Sequence, residues 1–262
     1  MTTTFPELHP ASREASDLLD DLPVVLVHGG NVAGWMWEPQ LEALQDRTVV
    51  TPDLPGFGRR TAERWPGLDG AADDLVARVE QLTGSRRFHV VGLSLGGSVG
   101  LHLAARHPDA AASVLVSGAP LLPVRGFTSL VAGLQLALWN SPWFWKAMAA
   151  GLRLPVDARE RYVTHGLSVH RDTARAMFDD VRSGGVPPYL DNYPGRLLLV
   201  AGERDSKVAR ESLRALPHAE ARLVPGMHHV WNVEGPALFN AVVTTWLAGG
   251  IHPALYPLRA RR

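Results

Sequence analysis

"VVGLSLGG" (residues 90–97) is an apolar run that pauses on a glycine, carries one serine and continues into two more glycines. Read as a strand entering a helix through a sharp turn, it puts Ser94 at the tip. There the backbone doubles back too tightly for a Cβ two residues to either side, and Gly92 and Gly96 meet that need. Such a turn exposes the Ser94 hydroxyl at the carboxyl end of a sheet, where open α/β folds bind ligands. The helix that follows aims its free N–H groups and positive end at the same spot. Negative charge developing on an oxygen beside Ser94 would be stabilised there, with the Leu95 N–H as first donor. A nucleotide site is the competing reading of a glycine-rich strand-to-helix turn. Neither G-x-G-x-x-G nor G-x-x-x-x-G-K-[ST] occurs, which turns the reading away from nicotinamide and nucleotide chemistry.

Outward from this turn, short apolar runs rich in β-branched residues recur at 23–30, 48–56, 112–120, 196–205 and 221–226. Continuous rather than alternating hydrophobicity marks strands buried on both faces of a parallel sheet. Between them, Glu38 to Leu44, Leu68 to Leu82, Gly96 to Arg106, Ser206 to Leu216 and Gly235 to Leu247 have helical length and spacing. The expected class is α/β, a mostly parallel central sheet flanked by helices. From 121 to 195 no strand is read, far beyond an ordinary loop. Three helix-like pieces lie there, at about 127–139, 157–168 and 171–182, with Trp139, Trp143, Phe144 and Trp145. The expected organisation is a core from residues 1–120 and 191–262 with a helical cap inserted at 121–190. The first 22 residues offer no clear strand, and no fixed-period repeat stands out.

Composition narrows the chemistry. Of 262 residues 46% are hydrophobic, enough for one large core. Lys plus Arg and Asp plus Glu number 26 each, so nothing biases the chain toward nucleic acid or an anionic membrane. The basic tail Arg259, Arg261, Arg262 reads as a solvated end. With no cysteine, disulfides, thiolate metal sites and a thiol nucleophile are excluded. Residues 1–22 hold no signal-peptide core, so a cytoplasmic location is expected. Phe127 to Trp139 falls short of the ~20 apolar residues of a membrane-spanning helix. His165 and His170 lack the i, i+4 spacing and the acid of a zinc motif, and no metal or organic cofactor is called for.

Four further segments follow in order: "HGG" (28–30), "PDLPGFG" (52–58), "GERD" (202–205) and "GMHHVWNVEGP" (226–236). Together with the turn at Ser94 they make the chain, over roughly 23–248, resemble the α/β-hydrolase superfamily. The likeness is to its cap-bearing serine hydrolases, a group that includes esterases, haloperoxidase-like enzymes and C–C bond hydrolases. That resemblance implies a triad in the order Ser, acid, His: Ser94, Asp205 and His229. Glu203 and Arg204 stand beside the acid position, but the family's G-x-x-D pattern selects Asp205. Where some relatives carry the acid after "SVLVSGAP", this chain has Gly118 and Ala119. The family spacing back from Glu234 and Pro236 selects His229, leaving His228 to face a backbone carbonyl or solvent. His28 resembles a structural histidine of the oxyanion loop, and the second oxyanion donor is expected from the Gly30 N–H, with Asn31 as alternative.

The activity so implied is carboxylesterase-like: hydrolysis of an ester, lactone or thioester of a small hydrophobic substrate through an acyl-enzyme on Ser94. Asn31, Trp139, Trp143 and Trp231 are expected to touch the substrate. The same residues would serve C–C bond hydrolysis, and a small-molecule receptor can keep the fold and triad without turnover.

Overall fold

The structure, a computed structural model, describes residues 5–12, 20–123, 134–183 and 185–258. Eight strands form one sheet in the order β1-β3-β2-β4-β5-β6-β7-β8. They are β1 (Leu8–His9), β2 (Val24–Val27), β3 (Val49–Val50), β4 (Phe88–Leu93), β5 (Ala111–Ser117), β6 (Arg196–Gly202), β7 (Glu220–Val224) and β8 (Tyr256–Pro257). β2 to β7 pair in parallel, and only the edge strands β1 and β8 are antiparallel. The valines of β2 and the whole of β4 are buried, as the unbroken apolar runs require of strands covered on both faces.

Helices α1 (Glu38–Leu41), α2 (Gly67–Thr83) and α3 (Leu95–Arg106) connect the first strands. Between β5 and β6 come α4 (Pro142–Gly151), α5 (Val156–Ser168) and α6 (Arg171–Ser183). α7 (Lys207–Ser212), α8 (Trp231–Glu234) and α9 (Pro236–Leu247) complete the chain. α2 packs on α3, and α1 on α9. Because β2 to β3 runs one way along the sheet and β3 to β4 returns past β2, right-handed crossovers put these two pairs on opposite faces. Strand order reverses between β2 and β4, and Ser94 follows β4 at that switch point.

Several expectations shift. The first 22 residues do contain a strand: β1 is two residues long, too short for any hydrophobic pattern, and is held by pairing Leu8 to Val50 and His9 to Val49. α4 was not expected. Its Pro142 sits in the first turn, where a missing N–H costs nothing, so the Asn140-Ser141-Pro142 stretch opens a helix. α7 stops at Ser212, short of Leu216. Of the expected helix at 127–139, residues 134–137 are helical and 124–133 lie outside the described residues, as does the basic tail. Among the described residues no helix is long and apolar enough to cross a membrane.

Candidate active site

Ser94 has φ 54° and ψ −113°, a conformation that costs a non-glycine residue of order 1–3 kcal/mol and survives only where its surroundings enforce it. The surroundings do. A Cβ on Gly92 would stand 2.3 Å from the Gly96 carbonyl oxygen, and one on Gly96 would stand 2.1 Å from that of Val27. The Ser94 N–H donates to the Ser117 carbonyl (2.7 Å), extending the pairing of β4 with β5 into the turn. Leu95, buried, opens α3 immediately afterwards.

Asp205 follows β6. Its side chain is almost fully buried, Oδ1 accepts the Ser206 N–H (2.6 Å), and both carboxylate oxygens lie 3.0 Å from His229 Nδ1. With Nδ1 committed to Asp205, Nε2 is the nitrogen free to exchange a proton. Gly118 makes room for this pair: a Cβ there would lie 3.0 Å from Asp205 Oδ2 and from His229 Nδ1. The loop carrying His229 is braced against the end of β6. Glu203 accepts the Gly226 N–H (2.9 Å), Arg204 N–H donates to the Met227 carbonyl (2.9 Å), and a Cβ on Gly202 would meet that carbonyl oxygen at 2.2 Å.

His228 departs from expectation. It faces neither solvent alone nor a carbonyl: its ring Nδ1 lies 2.7 Å from Glu234 Oε1, and its backbone N–H donates to Oε2 (2.8 Å). The glutamate whose spacing singled out His229 is thus a clamp on the neighbouring residue, fixing the loop from which His229 projects.

His28 is fully buried. Its Nε2 accepts the Leu54 N–H (2.9 Å), so the ring proton is on Nδ1, which donates to the Gly29 carbonyl (2.7 Å). Burial lowers the His28 pKa and keeps the ring neutral. The acid of "PDLPGFG", Asp53, is held below the usual carboxylate range. Burial alone would raise it, but the hydrogen bonds from the Arg59 and Gly34 N–H groups and from the Arg59 side chain outweigh that. These contacts shape the loop that presents Gly30, against which Met177 of α6 packs: a Cβ on Gly30 would lie 3.2 Å from Met177 Cε.

Ser94, His229 and Gly30 line one cavity of about 70 Å³. Its other walls are apolar, drawn from the core (Val32, Trp35) and from the segment between β5 and β6 (Leu152, Leu154, Ala158), with Tyr162 of α5 among them. No Asp, Glu, Lys or Arg lines it among the described residues. None of the four side chains expected to touch substrate does either. Trp139 is buried against Trp145 and Phe178 and donates to the Val169 carbonyl (2.8 Å). Trp143 is 62% exposed. Trp231 donates to Ser117 Oγ (2.8 Å), tying the histidine loop to the strand beside the serine turn. Asn31 takes a left-handed backbone (φ 64°), and its neighbours Gly30 and Val32 form the wall instead. The residues that do form the wall were missed because no local signal marks them; Leu152, Leu154 and Tyr162 become neighbours of Ser94 only when the segment folds back.

Comparison with known proteins agrees with this architecture. A family model described as alpha/beta hydrolase fold matches residues 23–195. A relative from Caulobacter sp. (strain K31), provisionally named carbamate hydrolase RutD, is 29% identical over 88% of this chain and 92% of its own. A 2-hydroxymuconate semialdehyde hydrolase from Pseudomonas putida is 24% identical over 87% of this chain and 88% of its own. Among solved structures, a thermophilic esterase from Thermogutta terrifontis superposes with a TM-score of 0.70 at 23% identity, covering 87% of this chain and 90% of that one.

Proposed function

The chain belongs to the α/β-hydrolase fold family, and from that premise we propose that it hydrolyses small, uncharged carboxylic esters through an acyl-enzyme on Ser94. The observation that carries the proposal is the meeting, at one apolar cavity, of a serine in a strained turn and a histidine whose far nitrogen is committed to a buried aspartate. In this reading His229 Nε2 takes the Ser94 proton as Oγ attacks the ester carbonyl, and Asp205 stabilises the imidazolium that forms. The backbone N–H groups of Gly30 and Leu95 receive the negative oxygen, and the positive end of α3 adds to the field there. His229 then protonates the leaving alcohol, and water releases the acid by the same steps in reverse. The segment 121–190 serves as a lid over the site.

Relatives named for carbamate and for C–C bond hydrolysis leave the scissile bond open within the family. The cavity favours the ester. A free carbamate is an anion, and burying it beside apolar walls with no cationic partner would be costly. The volume, about 70 Å³, lies well below the roughly 300 Å³ of a drug-sized ligand site, which favours short acyl groups.

The test is hydrolysis of p-nitrophenyl esters of graded chain length, with simple lactones beside them, by wild type, Ser94→Ala, His229→Ala and His228→Ala. Short esters should turn over, and the first two variants should lose roughly three or more orders of magnitude in kcat, as removal of a nucleophile or its base does. His228→Ala should lose far less. Ester turnover that survives in Ser94→Ala would overturn the proposal.

A further inference from the structure

Tyr162 stands apart in the wall of the cavity. It is 97% buried by its 3% exposure, on the inner side of α5, with its ring packed edge-on against Trp145 at 5.7 Å. Its hydroxyl has no hydrogen-bond partner among the described residues, whereas the indole N–H groups of Trp139 and Trp145 in the same segment both donate to carbonyls. The hydroxyl is not one of the buried side-chain atoms left without a partner, which among the described residues include His165 Nε2 of the same helix; it belongs to a residue that lines the cavity, and a phenol so placed takes its partner from what the cavity holds. The ring's packing would be served as well by phenylalanine. The one feature the hydroxyl adds is a polar group in a wall whose other polar side chains are those of Ser94 and His229.

We infer that Tyr162 is a specificity-determining residue whose hydroxyl donates a hydrogen bond to an uncharged oxygen acceptor of the substrate, so that the preferred substrates are oxygen-bearing esters rather than plain alkyl esters. The inference rests on the reading of Ser94 as the nucleophile and adds to it the substrate class. Burial keeps the phenol protonated by pushing its pKa above the usual tyrosine value, so the group remains a donor at any working pH. A site built to donate to an acceptor discriminates against the analogue that lacks it, because the donor is then left unpaired.

The experiment compares wild type with Tyr162→Phe on p-nitrophenyl hexanoate and on the analogues in which each chain methylene beyond the one bonded to the carbonyl is in turn replaced by an ether oxygen. Taking the ratio of the two enzymes for each ester cancels the differing intrinsic reactivity of the esters. At one ether position kcat/KM should fall in Tyr162→Phe roughly 5- to 20-fold further than it does for hexanoate and the other ethers. A uniform loss across the series would make Tyr162 a packing residue and overturn the inference, as would no loss at any position. Wild-type selectivity, with kcat/KM normalised to the hydroxide-catalysed rate of each ester, should independently peak at that same ether position; a flat profile counts against the inference even if the variant folds poorly. Failure of the underlying reading looks different. Ser94→Ala would then retain wild-type turnover, or no ester would react, and the substrate class assigned to Tyr162 would fall with it.

Discussion

At Gly118 the backbone has φ +64°, and the space a side chain would fill is taken by Asp205 and His229. Alanine there meets two penalties: a left-handed backbone, roughly 1–2 kcal/mol for a residue with a Cβ, and a contact that pushes the imidazole off its carboxylate. Gly118→Ala is expected to fold, to lose about that much stability in urea titration, and to lose on the order of 10²-fold in kcat with KM little changed, since a displacement near 1 Å suffices for that. An unchanged kcat would show that the His229–Asp205 contact does not set the rate. This residue also marks how legible the site was. Ser94 could be read because the backbone of its turn demands glycines to either side, whereas Asp205 and His229 were named only by what the resemblance implies, and the structure puts them 3.0 Å apart. Gly118 was noted only as a position without a carboxylate; its role as the space for that pair emerges from β5 and β6 lying side by side, which no spacing along the chain reveals. Glu234 was read as a spacing marker and proves to be the clamp on His228.

The elements divide in the same way. The parallel strands other than β3, and α2, α3 and α9, were legible to within a few residues because a two-faced buried strand and an amphipathic helix each impose a pattern on their own sequence, whereas of the run at 48–56 only Val49–Val50 is strand. The edges β1 and β8 and the short α8 carry too few residues to show one, and α4 was obscured by an aromatic cluster that reads equally well as packing. α5 illustrates what such elements do. Its His165 is buried, and its Nε2 has no partner among the described residues. Burial pushes the His165 pKa down to about 4, against the pull of Asp53 and a hydrogen bond with the Val32 backbone. Above about pH 6.5 the ring is neutral in both folded and unfolded chains and costs nothing. As pH falls toward 4, the unfolded chain takes up a proton that the folded one refuses, and stability is lost, by about 2 kcal/mol at pH 5. His28, also lowered, acts in the same direction. Urea unfolding at pH 7.5 and pH 5 should therefore show a smaller loss on acidification for His165→Gln than for wild type. Equal losses would mean that α5 does not hold this ring in the dry contact with the 28–34 loop.

At the scale of the molecule, the cavity is a junction of parts far apart in sequence: the loop after β2, the turn after β4, the segment between β5 and β6, and the loop after β7. Its chemistry matches that of the whole chain. The formal net charge is zero at pH 7, with a pI near 7.2. Many surface charges are paired locally, as in Arg60 with Asp74 and Glu63, Arg106 with Asp73, and Arg161 with Glu38. Such a surface projects little field, and the cavity itself is lined by no charged side chain among the described residues. Substrate capture should then be indifferent to electrostatic steering. For a neutral short-chain ester, kcat/KM should vary by no more than about twofold between roughly 10 and 500 mM NaCl, a range over which the Debye length falls from about 30 Å to a few ångströms. An anionic counterpart, the p-nitrophenyl hemisuccinate, should be poorer by at least about tenfold, because its carboxylate would be stripped of water without a partner. Low salt should not rescue it. A preference for the anionic ester, or a steep fall of its kcat/KM with salt, would place a cation at the site and reverse the assignment of an uncharged substrate.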